Sequence, residues 1–398
     1  MSSSVTVRDI IHVVADDKFI DAAYRQFEEA APGRNRFGIL GPPRPLEFVR
    51  QAPVEFWSTA DLKGCLADSG ANVVIMHSMN ARLLKIVPDS VRVLWIGWGF
   101  DYYGNLLRSA YPDGLLLAET QALVEARHTL PRRIASQIGR FFGSGASELA
   151  RNGLAWIWPS RKRMSRRLLG RVDWFAPVLF TEYELARDLN PWFRAGFVDW
   201  NYGTASDELR LPGTDPSFSS GSNESVLVGN SAEPSNNHLE AFRYINERYE
   251  LGDREIIVPL SYGQDWYRRI VIEEGRKLFG DRLTPLTRFL DRDEYFRILD
   301  RCGYAFMNHL RQQGLGNTCA LLLSGARVFL NIQSPACGFF REEGATVDLI
   351  DDPSLKEVQP FVPLSDEERS VNRDVILKHW GDDAQTRKTL GLIQTIGG

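Results

Sequence analysis

Short runs of buried-strand composition recur along the chain, each followed by a polar loop and a stretch with helical spacing. The first is Ile10 to Val14, ahead of Phe19, Ala23 and Phe27 at helical intervals. Others lie at Val73 to Met76, Val91 to Ile96 and Trp174 to Phe180. Continuous apolar strands alternating with helices predict a parallel sheet covered on both faces. After a Pro, Gly and Ser-rich stretch, Leu211 to Ser225, the alternation starts again. Strands are expected at Val226 to Val228, Glu255 to Pro259, Leu283 to Phe289, Tyr304 to Met307 and Val328 to Asn331. Helices are expected from about Asn236, over Trp266 to Phe279, from Glu294 and over Thr318 to Ser324. A 398-residue chain is too long for one ordinary core, so the reading is α/β with two doubly wound domains. The first covers 1–210 and includes a basic, aromatic insertion at about 127–171; a linker spans 211–225, the second domain 226–365 and a helical segment 366–398.

The net charge of -4 gives no reason to expect a nucleic-acid partner. Cys65, Cys302, Cys319 and Cys337 have no paired metal spacing, and no apolar leader precedes the first strand, which is read as a reducing cytoplasm. No run of about 18 apolar residues is present to span a bilayer. Between Arg127 and Arg171, nine further Arg and Lys residues are interleaved with Phe141, Phe142, Trp156 and Trp158, and Glu148 is the one acid. Cations beside aromatics suit an anionic membrane surface. A solvated helical hairpin with its own small core is the plainer alternative, and a nucleic-acid contact a third.

Two loops carry ligand-binding chemistry. In "VLVGNSAEPSNNHLEAF", Gly229, Asn230 and Ser231 follow a strand directly, and Asn236 opens a helix. Such a loop lies at the carboxyl edge of a parallel sheet, where ligands bind; an ordinary turn with an Asn cap is the rival reading. In "NHLRQQGLGNTCALLLSGARVFLN", a glycine-bearing loop runs into a helix at about Thr318. Gly314 and Gly316 allow close approach, and first-turn N–H groups at Asn317 and Thr318 offer partial positive charge to an anion. Arg311 adds a fixed charge, and Gln312 and Gln313 add amides. A capped core helix is the alternative. No GxGxxG follows the first strand, and "VVADDKF" puts two acids where a pyrophosphate would lie, which argues against a nucleotide-binding oxidoreductase.

The strings "VLVGNSAEPSNNH", "IIVPLSYG", "DEYFRILDRCGYAFMNHLRQQGLGNTCALLLSGARVFLN" and "WIGWGFDYYGN" resemble the TDP-N-acetylfucosamine:lipid II N-acetylfucosaminyltransferases of enterobacterial common antigen assembly. The resemblance implies a GT-B glycosyltransferase with two Rossmann-like domains facing a cleft and no cofactor. It also implies a dTDP-linked 4-acetamido-4,6-dideoxyhexose donor and a polyprenyl diphosphate-linked acceptor at the cytoplasmic face of the inner membrane. It puts weight on His12, Asp17, His77, Trp98, Gly99, Asp101 and Tyr102 in the first domain. In the second it stresses Gly229, Asn230, Ser231, Ser235, Asn236, His238, Pro259, Tyr262, Asp293, Tyr295, Arg311, Gln312, Gln313, Gly314 and Gly316. An acceptor hydroxyl needs a general base, for which Asp101, His77 and Asp17 are the candidates.

The chain departs from that pattern in two places. The Arg127 to Arg171 segment is longer than the family's connection, and "AEPSNNH" lacks its charged pair, leaving open another surface glycan, another nucleotide sugar or a non-catalytic sugar-binding scaffold. A glutamate pair eight positions apart, frequent in retaining GT-B enzymes, is replaced by Gln312 and Ala320. Asp291 and Asp293 have DxD spacing, but Asp291 followed by Glu294 reads as a capping box, so no metal site is expected.

Overall fold

The computed structural model describes residues 9–129, 164–202, 224–351 and 357–397. The central part of the basic segment and nearly all of the expected linker lie outside these residues. The described chain forms two compact units: 9–110, 164–202 and 377–397 make the first, and 111–129, 224–351 and 357–376 the second.

In the first unit, β1 (Ile10–Val14), β2 (Asn35–Leu40), β3 (Val54–Trp57), β4 (Val73–His77), β5 (Arg92–Ile96), β6 (Trp174–Ala176) and β7 (Gly196–Phe197) form one parallel sheet. Their order is β3-β2-β1-β4-β5-β6-β7. Strands β1 and β4 are buried at every position, in keeping with sequences that are apolar apart from His12 and His77. Helices α1 (Ile20–Ala30), α2 (Thr59–Asp68), α3 (Ala81–Leu84) and α4 (Phe100–Tyr103) connect them. Strands β2, β3 and β7 were not expected. The strand expected at Trp174 to Phe180 stops at Ala176, because Pro177 has no N–H for a ladder, and Phe180 already opens a helix.

The second unit repeats the plan with α5 (Ala118–Thr129), which docks on it from earlier in the chain, then α6 (Arg166–Leu169) and α7 (Phe180–Leu189) belonging to the first unit. Strands β8 (Ser225–Val228), β9 (Ile256–Pro259), β10 (Leu283–Leu286), β11 (Cys302–Met307), β12 (Arg327–Asn331) and β13 (Asp348–Ile350) are all parallel, in the order β10-β9-β8-β11-β12-β13. Helices α8 (His238–Arg248), α9 (Asp265–Phe279), α10 (Arg292–Leu299), α11 (Leu315–Leu323) and α12 (Pro335–Glu342) lie between them. In each sheet the order reverses beside the first strand, at β1/β4 and at β8/β11. Loops leaving the carboxyl ends of those strand pairs therefore border the crevices where open α/β sheets bind ligands.

The division differs from a single break at 211–225 in two described places. Helix α5 packs on α8: Leu117 N donates to Asn237 Oδ1 (2.9 Å), and Thr120 donates its N–H and hydroxyl to the two oxygens of Glu240. At the other end, the helical segment breaks at Gly381 into α13 (Asp366–Trp380) and α14 (Asp382–Gly397). A Cβ at Gly381 would lie 2.5 Å from Leu377 O. Helix α14 belongs to the first unit: Thr389 Oγ1 accepts from Trp200 Nε1 (3.0 Å), and Leu392 and Ile396 join its core.

Candidate active site

The first unit's switch point gathers His12, Asp17, His77, Trp98 and Asp101. In the β1–α1 loop, Asp16 is fully engaged, accepting backbone N–H bonds from Glu47, Phe48 and Val49. Asp17, next to it, accepts one, from Phe19 N (3.1 Å). Burial pushes the Asp17 carboxyl up, against the pull of that N–H and of Lys18. A half-buried carboxylate with one oxygen uncommitted is suited to take a proton.

Asp101 is placed differently. Its Oδ2 accepts from Met79 N (2.8 Å) and Trp95 Nε1 (2.7 Å), and its Oδ1 from Trp98 N (3.0 Å). Burial pushes this carboxyl up as well, with the three donors opposing. The geometry ties the loops after β4 and β5 together. Gly99, at φ +84, makes the turn that brings Asp101 back under Trp98. Tyr102 is wholly buried against Trp95 and Phe175.

His77 ends β4, and its ring is sandwiched in a chain. Its Nε2 lies 3.1 Å from His12 Nδ1, and its Nδ1 2.8 Å from the Tyr202 hydroxyl. His12 Nε2 reaches Asn35 Oδ1 (3.3 Å), and its ring stacks on Phe37 with centroids 4.1 Å apart. Burial lowers the His12 pKa to about 3; burial and the neighbouring His12 hold His77 well below its ordinary range. Tyr202 also accepts from Trp98 Nε1. Neither Tyr202 nor Asn35 was singled out from the sequence.

In the second unit, the β8 and β11 loops interlock. Gly229 has φ +69, and Asn230 N donates to Asn236 Oδ1 (2.8 Å). Asn236 Nδ2 donates to Ser231 Oγ and Glu233 O, which fixes its oxygen as an acceptor. His309 Nε2 lies 2.9 Å from that oxygen and 3.1 Å from Asn230 Oδ1, so this nitrogen carries the proton. Gln313 donates to Asn230 Oδ1 (3.1 Å) and accepts from Ser235 Oγ (2.7 Å). Asn230 Nδ2 reaches the Tyr262 hydroxyl (3.0 Å). The result is a rigid floor of neutral amides. His238 lies buried beneath Gly229, held by the Tyr267 hydroxyl, and burial lowers its pKa to about 3.

Above that floor, Gly314 (φ +65) opens α11, and a Cβ there would lie 3.0 Å from Asn230 Cγ. The N–H groups of Leu315, Gly316 and Asn317 precede the first intrahelical bond, which Thr318 N makes to Gly314 O. A Cβ at Gly316 would meet nothing within 4 Å, so space is open there. Arg311 is buried beside the loop and donates to Gln312 O; Gln312 is buried too. Glu233, close enough to feel Arg311, is pushed by burial to about 7. Asn317 Nδ2 donates to the Tyr295 hydroxyl (2.7 Å). Pro259 ends β9 inside the sheet. His309 and Glu233 are additions the sequence reading did not make, although both stand within its two loops.

Asp291 caps α10, accepting from Glu294 N (2.8 Å). The reciprocal half of the expected capping box is absent: the Glu294 carboxylate pairs with Arg288 instead. Among the described residues no group of three or more His, Cys, Asp and Glu is arranged to hold a metal ion, and no helix is long and apolar enough to cross a membrane.

The buried imidazoles make stability pH-dependent. A histidine held near pKa 3 in the folded state and about 6.5 in the unfolded chain stabilises fully above about pH 7, and that contribution is lost as pH falls from about 6.5 toward 3. His12 alone should remove about 2 kcal/mol by pH 5. Glu233, with its raised pKa, works in the opposite sense between about 7 and its ordinary value. The direct check is NMR: the His12 and His238 ring resonances should not titrate between pH 8 and 5, and a midpoint near 6.5 for either would contradict its burial as a neutral ring.

Comparison with known proteins agrees with this architecture. Solved structures similar over nearly the whole chain include HepE from Anabaena in complex with UDP and glucose, at 9% identity and TM-score 0.57, covering 98% of this chain and 99% of that one. Sucrose-phosphate synthase from Thermosynechococcus elongatus is similar at 10% identity and TM-score 0.57, with the same two coverages. A glycosyltransferase from Rickettsia africae follows at 9% identity and TM-score 0.53, covering 98% of each chain. These give the fold, GT-B. Residues 208–359, which span the interlocked β8 and β11 loops, match the family model described as 4-alpha-L-fucosyltransferase, glycosyl transferase group 56. The chain is thus a GT-B glycosyltransferase whose residues 208–359 are similar to glycosyl transferase group 56.

Proposed function

We propose that the protein transfers a sugar from a nucleotide diphosphate-sugar, with a dTDP-linked 4-acetamido-4,6-dideoxyhexose as donor, to a polyprenyl diphosphate-linked saccharide, without a catalytic metal. The observation that carries this reading is the start of α11: free first-turn N–H groups, open space at Gly316 and the buried Arg311 beside a floor of neutral amides. A leaving diphosphate there is stabilised by the helix dipole and one guanidinium, charge that is already oriented before the bond breaks. Gly229, Asn230, Ser231, Asn236, Gln312, Gln313 and Tyr262 shape the sugar side of that site. In the first unit Asp17 serves as base for the acceptor hydroxyl, since it alone of the three candidates keeps an oxygen without a hydrogen bond from a neighbouring loop. HepE, solved with UDP and with UDP-glucose, supports a nucleotide-sugar donor for this fold. The basic, aromatic composition of Arg127 to Arg171 supports peripheral contact with an anionic membrane leaflet on the cytoplasmic side.

The test is incubation with dTDP-, UDP- and GDP-linked sugars and a farnesyl diphosphate-linked disaccharide, with and without EDTA. Transfer from the dTDP sugar is expected at a rate that chelation changes by less than about tenfold, the equivalent of about 1.4 kcal/mol of barrier. A larger loss restored by Mg²⁺ or Mn²⁺ would place a cation in the mechanism. Turnover with UDP or GDP sugars alone would replace the donor.

A further inference from the structure

The hydrogen-bond chain in the first unit has a single direction, which its far end sets. Asn35 Nδ2 donates to Phe27 O (3.0 Å), Ala31 O (2.8 Å) and Glu28 Oε2 (3.0 Å), so its Oδ1 is the acceptor facing His12. His12 Nε2 therefore carries a proton, and in a neutral ring His12 Nδ1 accepts. His77 Nε2 must then donate to it, leaving His77 Nδ1 to accept from the Tyr202 hydroxyl. The Tyr202 oxygen in turn accepts from Trp98 Nε1. Each polar atom along the chain has a defined role, and the last group in it is the Trp98 indole.

Trp98 is held at both ends: Asp101 Oδ1 accepts its backbone N–H (3.0 Å), and Tyr202 accepts its ring N–H. The indole N–H is thus committed within the protein, so what Trp98 can offer a ligand is apolar ring surface. It is half-buried at the carboxyl edge of the sheet, its ring near perpendicular to those of Tyr202 (5.5 Å), Phe19 (6.0 Å) and Phe100 (6.1 Å), the last of which is 45% exposed. Phe19 is the residue whose N–H binds Asp17. An aromatic face has negative charge density and attracts the weakly positive C–H groups of a pyranose ring, whereas it offers nothing to a phosphate.

We infer that Trp98 is the surface on which the acceptor sugar is seated beside Asp17, and that Tyr202, His77 and His12 are positioning residues that act through it. This rests on the reading of the first unit as the acceptor side. The experiment compares Trp98→Phe, Tyr202→Phe and the double variant, using the farnesyl diphosphate-linked disaccharide as acceptor and calorimetric TDP binding as control. Each single change should raise the acceptor KM about tenfold with TDP affinity unchanged, a loss of the size aromatic contacts carry. Because Tyr202 acts through Trp98, the double variant should be no worse than Trp98→Phe. A second readout needs no turnover: the ¹⁵N–¹H resonance of the Trp98 indole, assigned by its disappearance in Trp98→Phe, should move upfield and exchange faster in Tyr202→Phe and in His77→Gln. Additive losses, an unmoved indole resonance or an unchanged acceptor KM in Trp98→Phe would overturn the inference. Absence of transfer by the wild type would instead defeat the function reading, while wild-type kcat in Asp17→Asn with a raised acceptor KM in Trp98→Phe would remove the base and leave the seat.

Discussion

Gly229→Ala is expected to destabilise the second unit and to abolish tight donor binding. At φ +69 the backbone occupies the left-handed region, where an L side chain costs roughly 1–2 kcal/mol. An added Cβ would also lie 2.6 Å from His238 Nε2 and 2.7 Å from Asn236 Oδ1. Neither neighbour is free to retreat. His238 is held by the Tyr267 hydroxyl and packed among Tyr267 and Phe242, and Asn236 is bonded to Ser231, Glu233, Asn230 and His309. Overpacking of this kind adds about 1–3 kcal/mol. At about 2–4 °C per kcal/mol for a unit of this size, the unfolding midpoint should drop by roughly 5–15 °C. Gly316→Ala is the control, since its Cβ meets nothing and the position is helical. It should keep or raise stability, by up to about 1 kcal/mol, while TDP affinity falls if the diphosphate lies there. A Gly229→Ala protein with wild-type melting and wild-type TDP affinity in calorimetry would show that this contact is not tight.

What could be read from the sequence was local. The runs Val73 to Met76 and Val226 to Val228 are apolar without interruption and Ile10 to Val14 is broken only by His12, as suits strands buried on both faces, and each was found within a residue or so. The edge strands escaped for physical reasons. In β2 the run is broken by Gly38, whose missing side chain makes room for the Trp57 ring on β3; a Cβ there would stand 2.0 Å from it. That reason lies on another strand and leaves no mark near Gly38. The β8 and β11 loops were legible because glycine after a strand and before a helix is itself the signature of close backbone approach. The polar chain of the first unit was not. His12 and His77 are 65 residues apart, His77 and Tyr202 125, and their shared chain exists only once β1 and β4 pair. Likewise, the sequence offered Asp101 as a base because it follows a strand, and could not show that donors from Met79, Trp95 and Trp98 converge on it.

That convergence separates Asp17 from Asp101 by experiment. Asp17→Asn keeps the size of the side chain and an acceptor for Phe19 N, and removes the basic carboxylate. Stability and TDP binding should hardly change, while kcat falls by roughly 10² to 10⁴, the usual worth of a general base. Asp101→Asn should do the reverse. Three N–H groups point at the two Asp101 oxygens, and an asparagine has one oxygen and one NH₂, so at least one buried donor would face another donor. An unsatisfied buried group costs about 1–3 kcal/mol, and repulsion between facing N–H groups adds to it. The Asp101→Asn protein should therefore melt earlier, with whatever activity it loses appearing mainly in the acceptor KM as the Trp98 loop loosens. The two variants must be measured together, as thermal midpoints and as kcat at saturating donor. If Asp17→Asn retains kcat within threefold of wild type while a well-folded Asp101→Asn loses a hundredfold, the roles are exchanged: the engaged carboxylate would then have to release a donor in the working complex, and Asp17 would be a loop residue.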